Sequence, residues 1–136
     1  MTFIVDASVA LLWLIDLPAS KEAEQLLQRD ETIIAPDILV PEIANALWKT
    51  VTFAGLPSAE AQDAMNTLDR FFSEIAPTYP LRDRALAIAL ELKHPAYDCF
   101  YLAFAEQRAC PLITADKRLV RKAKKTPFEK LISEFV

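Results

Sequence analysis

Apolar positions along this chain follow two rhythms: short unbroken runs of strand length, and longer stretches in which they recur at helical spacing. Phe3-Ile4-Val5 is the first run. Ser8 is then placed to cap a helix from Val9 to Ile15, and a second helix from about Ser20 to Gln28 follows Pro18. Thr32-Ile33-Ile34-Ala35 reads as a strand ended by Pro36. From Ile38, the spacing of Ile43, Leu47 and Val51 predicts a helix to about Ala54; Gly55-Leu56-Pro57 stops it, and Ser58 starts another that runs to about Phe72, making a helical hairpin. Glu74-Ile75-Ala76 reads as a short strand. A helix from Leu81 to Leu92 closes at Lys93-His94-Pro95, and another runs from about Tyr97 to Arg108. Pro111-Leu112-Ile113-Thr114 is the last clear strand before a short basic helix near Lys117 to Ala123, and the weak alternation from Leu131 to Phe135 predicts an edge strand.

Strands that alternate with helices predict an α/β fold: a mainly parallel sheet covered on both faces, in a single domain of 136 residues. In such sheets ligands bind beyond the carboxyl ends of the strands. Asp6 stands immediately after the first strand, and Asp116 follows the Leu112–Thr114 strand at the matching place. Glu42 lies in the opening turn of the helix after Pro41, and Asp98 in the opening turn of the helix after Pro95.

Taken singly, each acid has an ordinary account: Asp6 and Asp116 as helix caps, Glu42 and Asp98 as complements to a helix dipole. Together they pose a different problem. Four like charges brought to one sheet edge repel one another and resist desolvation, so the cluster destabilises the fold unless a cation offsets it. Hard oxygen donors point to Mg²⁺ or Mn²⁺ rather than zinc. His94, the one histidine, sits before a proline at a predicted helix end and reads as a surface or capping residue.

Composition narrows the remaining classes. Hydrophobic residues make up 53% and charged residues 25%, which is globular rather than disordered. A single glycine, Gly55, leaves no phosphate-cradling glycine loop. Asp16 interrupts the N-terminal apolar run, no other run approaches bilayer length, and the start carries no signal-peptide pattern, so a cytoplasmic protein without membrane contact is expected. Cys99 and Cys110 fall eleven residues apart on one predicted helix, sharing a face at about 16 Å, too far for a disulfide.

Val5-Asp6-Ala7-Ser8-Val9, Pro41-Glu42-Ile43-Ala44-Asn45-Ala46-Leu47, Tyr97-Asp98-Cys99-Phe100-Tyr101-Leu102-Ala103 and Thr114-Ala115-Asp116 occur in this order, with the helical hairpin after the second. In this the chain resembles the PIN-domain ribonucleases, most closely the VapC toxins of toxin–antitoxin pairs, over nearly its whole length. The resemblance implies a three-layer α/β/α sandwich and a metal-dependent endoribonuclease that hydrolyses RNA with activated water, leaving 5′-phosphate and 3′-hydroxyl ends. It also implies that Asp6, Glu42, Asp98 and Asp116 are the metal-binding and catalytic carboxylates, supported by Ser8, Asn45 and Thr114. Relatives that carry a further acid after the last position differ from this chain, where Lys117 and Arg118 follow. One or two metal ions are both compatible with that pattern.

Net charge is −4, yet Lys117, Arg118, Arg121, Lys122, Lys124 and Lys125 gather directly after Asp116. Beside an acidic metal site this segment is expected to hold RNA phosphates; a solvated helix face is the alternative. Trp13 and Tyr97 are candidates to stack bases, or core and interface residues. The hairpin carries more apolar surface than one sheet face needs, and the resemblance implies a homodimer and a VapB-like antitoxin in an apolar groove. Two other classes compete. A receiver or phosphatase-like domain also places an acid after the first strand, but Ser8 stands where its second acid is required. A non-catalytic PIN-like module would bind RNA or protein without cutting.

Overall fold

Why the first strand lies at the centre follows from its burial. In the computed structural model, which describes residues 1–135, β1 (Thr2–Val5) has Phe3, Ile4 and Val5 fully enclosed. A strand apolar on both faces needs helices on both sides and strands on both edges. β2 (Thr32–Pro36) and β4 (Leu112–Thr114) supply the edges, with Phe3 opposite Ile33 and Ile4 opposite Leu112. β3 (Glu74–Ala76) and β5 (Ile132–Glu134) flank these, giving a five-stranded sheet in the order β3-β2-β1-β4-β5, parallel throughout.

Side chains alternate across the pleat and divide the core in two. Phe3, Val5, Ile33, Ala35 and Ile113 face one layer, which holds α1 (Ala7–Leu14), α2 (Ser20–Leu27), α3 (Leu39–Ala54) and α4 (Ser58–Thr67). Ile4, Ile34 and Leu112 face the other, with α5 (Arg82–Leu92), α6 (Ala96–Arg108) and α7 (Lys117–Ala123). This is the expected three-layer α/β/α sandwich. Deleting a side chain from either half, as in Ile4→Ala, removes about 2–5 kcal/mol of stability.

Element boundaries depart from the sequence reading where polar side chains intervene. Asp6, rather than Ser8, caps α1: its backbone is extended and its Oδ1 accepts from the Val9 N–H at 3.3 Å. α4 ends at Thr67, whose hydroxyl donates back to the Ala64 carbonyl, and a 3₁₀ turn over Leu68–Phe71 replaces the last predicted turn. β2 extends through Pro36, whose missing N–H is tolerated at a strand end. α6 stops at Arg108 because Ala109 adopts the left-handed conformation (φ 52°), so Cys110 lies past the helix and the two free thiols do not share its face. No helix among the described residues is long and apolar enough to cross a membrane.

Candidate active site

β1 is the topological switch point. The chain leaves it for β2 on one side and later returns to β4 on the other, so the segments after β1 and β4 diverge and open a crevice at the carboxyl end of the sheet. Asp6 sits at its floor, 4% exposed. Its Oδ1 accepts from Ser8 Oγ at 2.5 Å and from the Val9 N–H, and its Oδ2 accepts from the Thr114 hydroxyl. Ser8 Oγ in turn accepts the Ala115 N–H, and Thr114 Oγ1 accepts the Asp116 N–H, both at 3.0 Å. Ser8 and Thr114 therefore tie the ends of β1 and β4 together around one carboxylate. Asp116 itself caps α7, accepting from the N–H groups of Arg118 and Leu119.

The other two acids enter from helix starts. Glu42 lies in the first turn of α3, half-buried, and its Oε1 accepts from the Tyr101 hydroxyl at 2.7 Å. Asp98 lies in the first turn of α6, with His94 Nε2 2.6 Å from its Oδ2. Burial pushes the Glu42 carboxyl up to about 7, with Asp98, Asp6 and Asp116 adding to the rise and the Tyr101 bond opposing it. Burial likewise lifts Asp6 to about 6, against the bonds from Ser8, Thr114 and Val9 and with a contribution from Asp98. Asp98 is raised by burial and by Asp116, while His94 and Arg118 oppose. Each of the four acids thus feels others across the crevice, although they come from separate parts of the chain.

That mutual repulsion is the observation against which a metal is tested. The donor set is all carboxylate oxygen and its charge is offset only in part, by His94 and Arg118 at Asp98, which suits a hard dication. Among the described residues, however, no three His, Cys, Asp or Glu side chains stand close enough to form a finished cage. The acids surround the crevice without closing on a point. The donor chemistry suits a hard dication such as Mg²⁺ or Mn²⁺, while the side-chain positions do not of themselves make a metal site among the described residues.

Of the other expected residues, Asn45 is exposed on α3 and makes no hydrogen bond to an acid among the described residues. Lys117, Arg118, Arg121 and Lys122 are all exposed on α7, with no ion-pair partner there among the described residues. Arg118 reaches the field of Asp98. Tyr97 is 64% exposed at the start of α6, whereas Trp13 is half-buried, donating to the Ala23 carbonyl and packing on Phe71 and Phe72.

His94 corrects the sequence reading: it is not on the surface, its side chain being 1% exposed. Tyr101, fully buried, had no assigned role. The signal for both was their spacing from Asp98: Tyr101 follows it at i+3 on α6, and His94 precedes it by four residues in the turn that leads into that helix.

Comparison with known proteins bears on the fold and the family. The PIN domain family model matches residues 3–125. Ribonuclease VapC3 of Pyrobaculum aerophilum is 31% identical over 124 residues, covering 90% of this chain and 95% of that protein. Ribonuclease VapC9 of Mycobacterium tuberculosis is 34% identical over 116 residues, covering 85% and 87%. Among solved structures, PAE2754 of Pyrobaculum aerophilum matches with a TM-score of 0.69 at 24% identity, over 99% of this chain and 84% of that one. VapBC2 of Rickettsia felis, bound to a DNA fragment from its promoter, matches with a TM-score of 0.70 at 11% identity, over the full length of both chains. At those identities the two structures speak for the fold, and the family model and the two ribonucleases speak for descent: this chain belongs to the PIN-domain family, among the VapC ribonucleases.

Proposed function

We propose that this protein is a metal-dependent endoribonuclease and the toxin of a VapBC-type toxin–antitoxin pair. The observation that carries the reading is the convergence of Asp6, Glu42, Asp98 and Asp116 on the switch-point crevice, each within the field of others. Its family membership supports the same activity.

In this reading the four carboxylates hold Mg²⁺ or Mn²⁺, which when bound supplies Lewis-acid activation of water and offsets charge on the phosphodiester oxygens. The protein's own part is positioning. Ser8 and Thr114 fix the Asp6 carboxylate, Tyr101 fixes Glu42, and a carboxylate of the set takes the proton given up by the attacking water. Ser8 Oγ, which donates to Asp6 and accepts from the Ala115 N–H, serves this positioning, and no protein nucleophile is required when water attacks. Lys117, Arg118, Arg121 and Lys122 hold RNA phosphates beside the crevice, with Asn45 at its rim.

The partner is an antitoxin of the VapB kind. A groove of about 370 Å³ between α3 and α4, lined mostly by apolar side chains such as Leu47, Trp48, Val51 and Met65 with Ser58 and Gln62 among them, is apolar enough to receive one of its segments. Trp48 and Phe53 stand 55% and 77% exposed beside it. The homodimer rests on the same surplus of exposed apolar side chains, joined by Leu86 and Leu90 on α5. All of this is expected to take place in the cytoplasm.

The test is cleavage of structured RNA by the pure protein in Mg²⁺ or Mn²⁺, repeated with Asp98→Asn. Cleavage that vanishes with the substitution while the thermal melt stays cooperative is the expected result. Cutting that persists in excess EDTA, or in Asp98→Asn, overturns the assignment. RNA binding without cutting points instead to the non-catalytic module.

A further inference from the structure

The buried pair His94–Asp98 does more than fill space. α5 ends at Leu92, and Lys93 adopts the left-handed conformation (φ 53°, ψ 50°), which costs a residue with a Cβ about 1–2 kcal/mol. That turn, tied by the His94 N–H to the Ala89 carbonyl at 3.2 Å, swings His94 inward. Pro95 then starts α6, so that Asp98 stands one turn further on. The ring is almost wholly enclosed, Nε2 lies 2.6 Å from Asp98 Oδ2, and Nδ1 is buried with no hydrogen-bond partner. Of the two neutral tautomers, the one protonated on Nδ1 would strand a buried donor and place two acceptors face to face, at a penalty of about 1–3 kcal/mol. The other donates from Nε2 to the carboxylate. Asp98 accepts no other hydrogen bond among the described residues, which leaves Oδ1 directed by this one bond while 22% of the side chain stays open to the crevice.

We propose that His94 is a positioning residue: its Nε2–H donates to Asp98 Oδ2 and fixes that carboxylate so that Oδ1 is presented to the divalent cation. The inference rests on the metal reading above and assigns the orientation of one of its ligands to a backbone turn and a histidine. His94→Gln sets an amide nitrogen near the place of Nε2 and keeps a donor. His94→Phe keeps the ring volume and loses the donor.

The experiment is titration of the full-length protein with Mn²⁺, following the signal of the free ion by electron paramagnetic resonance. His94→Phe is expected to weaken Mn²⁺ binding about 10–100-fold, and His94→Gln to recover most of the loss. In the Asp98→Asn background, His94→Phe is expected to add nothing. In the wild-type protein, labelled with ¹⁵N at histidine, the proton is expected on Nε2, a readout that needs no variant to fold. Wild-type affinity in a folded His94→Phe, an equal loss in both variants, or a proton on Nδ1 each overturn the positioning role. A wild-type protein that binds no Mn²⁺ refutes the metal reading and this inference with it, so the two failures are distinguishable.

Discussion

Asp6 is the most constrained residue of the crevice: three donors hold it, yet burial still keeps its carboxyl at about 6. Glu42, at about 7, is held harder still against ionisation. Both folded-state values lie above the ordinary ones, so the folded state keeps these protons better than the unfolded chain does. The stability these two protons contribute in the absence of metal is therefore full at low pH and is lost as pH rises from about 4 through 6 for Asp6 and from about 4.5 through 7 for Glu42, while Glu74 and Glu106, held below the usual carboxylate value by Arg108 and Arg84, act in the opposite sense at lower pH; the Asp6 part alone is on the order of 2–3 kcal/mol. Urea melts of the chelator-treated protein at pH 5 and pH 8 check this: the pH 5 sample is expected to be more stable, and Mg²⁺ to restore more at pH 8 than at pH 5. At the same scale, Tyr101→Phe removes the donor to Glu42. The expected outcome is about 1 kcal/mol lost in denaturant, together with weaker Mn²⁺ binding. Where the four acids stand was legible from sequence, because each follows a strand or opens a helix. What holds them was partly hidden: Tyr101 meets Glu42, 59 residues away, only in the folded chain, and His94, though only four residues from Asp98, is enclosed by tertiary packing, before which an isolated histidine ahead of a proline looks like a surface residue.

At the level of elements, two of the four acids are also N-caps, so their structural and chemical roles overlap: Asp6 begins α1, and Asp116 begins the short α7 with two backbone donors. The overlap can be separated. Asp116→Asn keeps a capping oxygen while removing the charge, whereas Asp116→Ala removes both. The first is expected to hold near wild-type stability and the second to lose about 1 kcal/mol, while both weaken Mn²⁺ binding; thermal melts alongside metal titration give the comparison. Short unbroken apolar runs, helical spacing and the stops between them were enough to locate every strand and α-helix among the described residues, because strands covered on both faces are apolar throughout and helices covered on one are apolar at a period of 3.6. They were weaker at the ends. Ser8 looked like the cap of α1 from its residue type, but its hydroxyl is spent on Asp6 and Ala115, and the cap falls to the neighbouring carboxylate. The predicted run to Phe72 stops as α-helix at Thr67, and its last turn, Leu68–Phe71, is a 3₁₀ turn.

At the scale of the whole molecule, charge is unevenly placed. Net charge is −4, but α7 displays Lys117, Arg118, Arg121 and Lys122 next to an acidic crevice. RNA affinity should then fall with salt according to the number of phosphates these side chains meet. Replacing Arg121 and Lys122 together with alanine is expected to weaken binding across RNA sequences alike and to flatten the salt dependence by about 0.7 for each phosphate no longer neutralised, measured by fluorescence anisotropy over a range of NaCl. An unchanged slope assigns α7 to the solvent. Sequence showed the basic run and its nearness to Asp116; it could not show which cations clear the surface, because that depends on how α7 lies beyond β4. On the proposed reading, four separated carboxylates gather one hard cation. The most direct test is anomalous diffraction from crystals grown with Mn²⁺: a peak within coordination distance, about 2.0–2.3 Å, of at least two among Asp6, Glu42, Asp98 and Asp116 is the predicted result, and RNA cleavage by a protein whose Mn²⁺ lies elsewhere or is absent would contradict it.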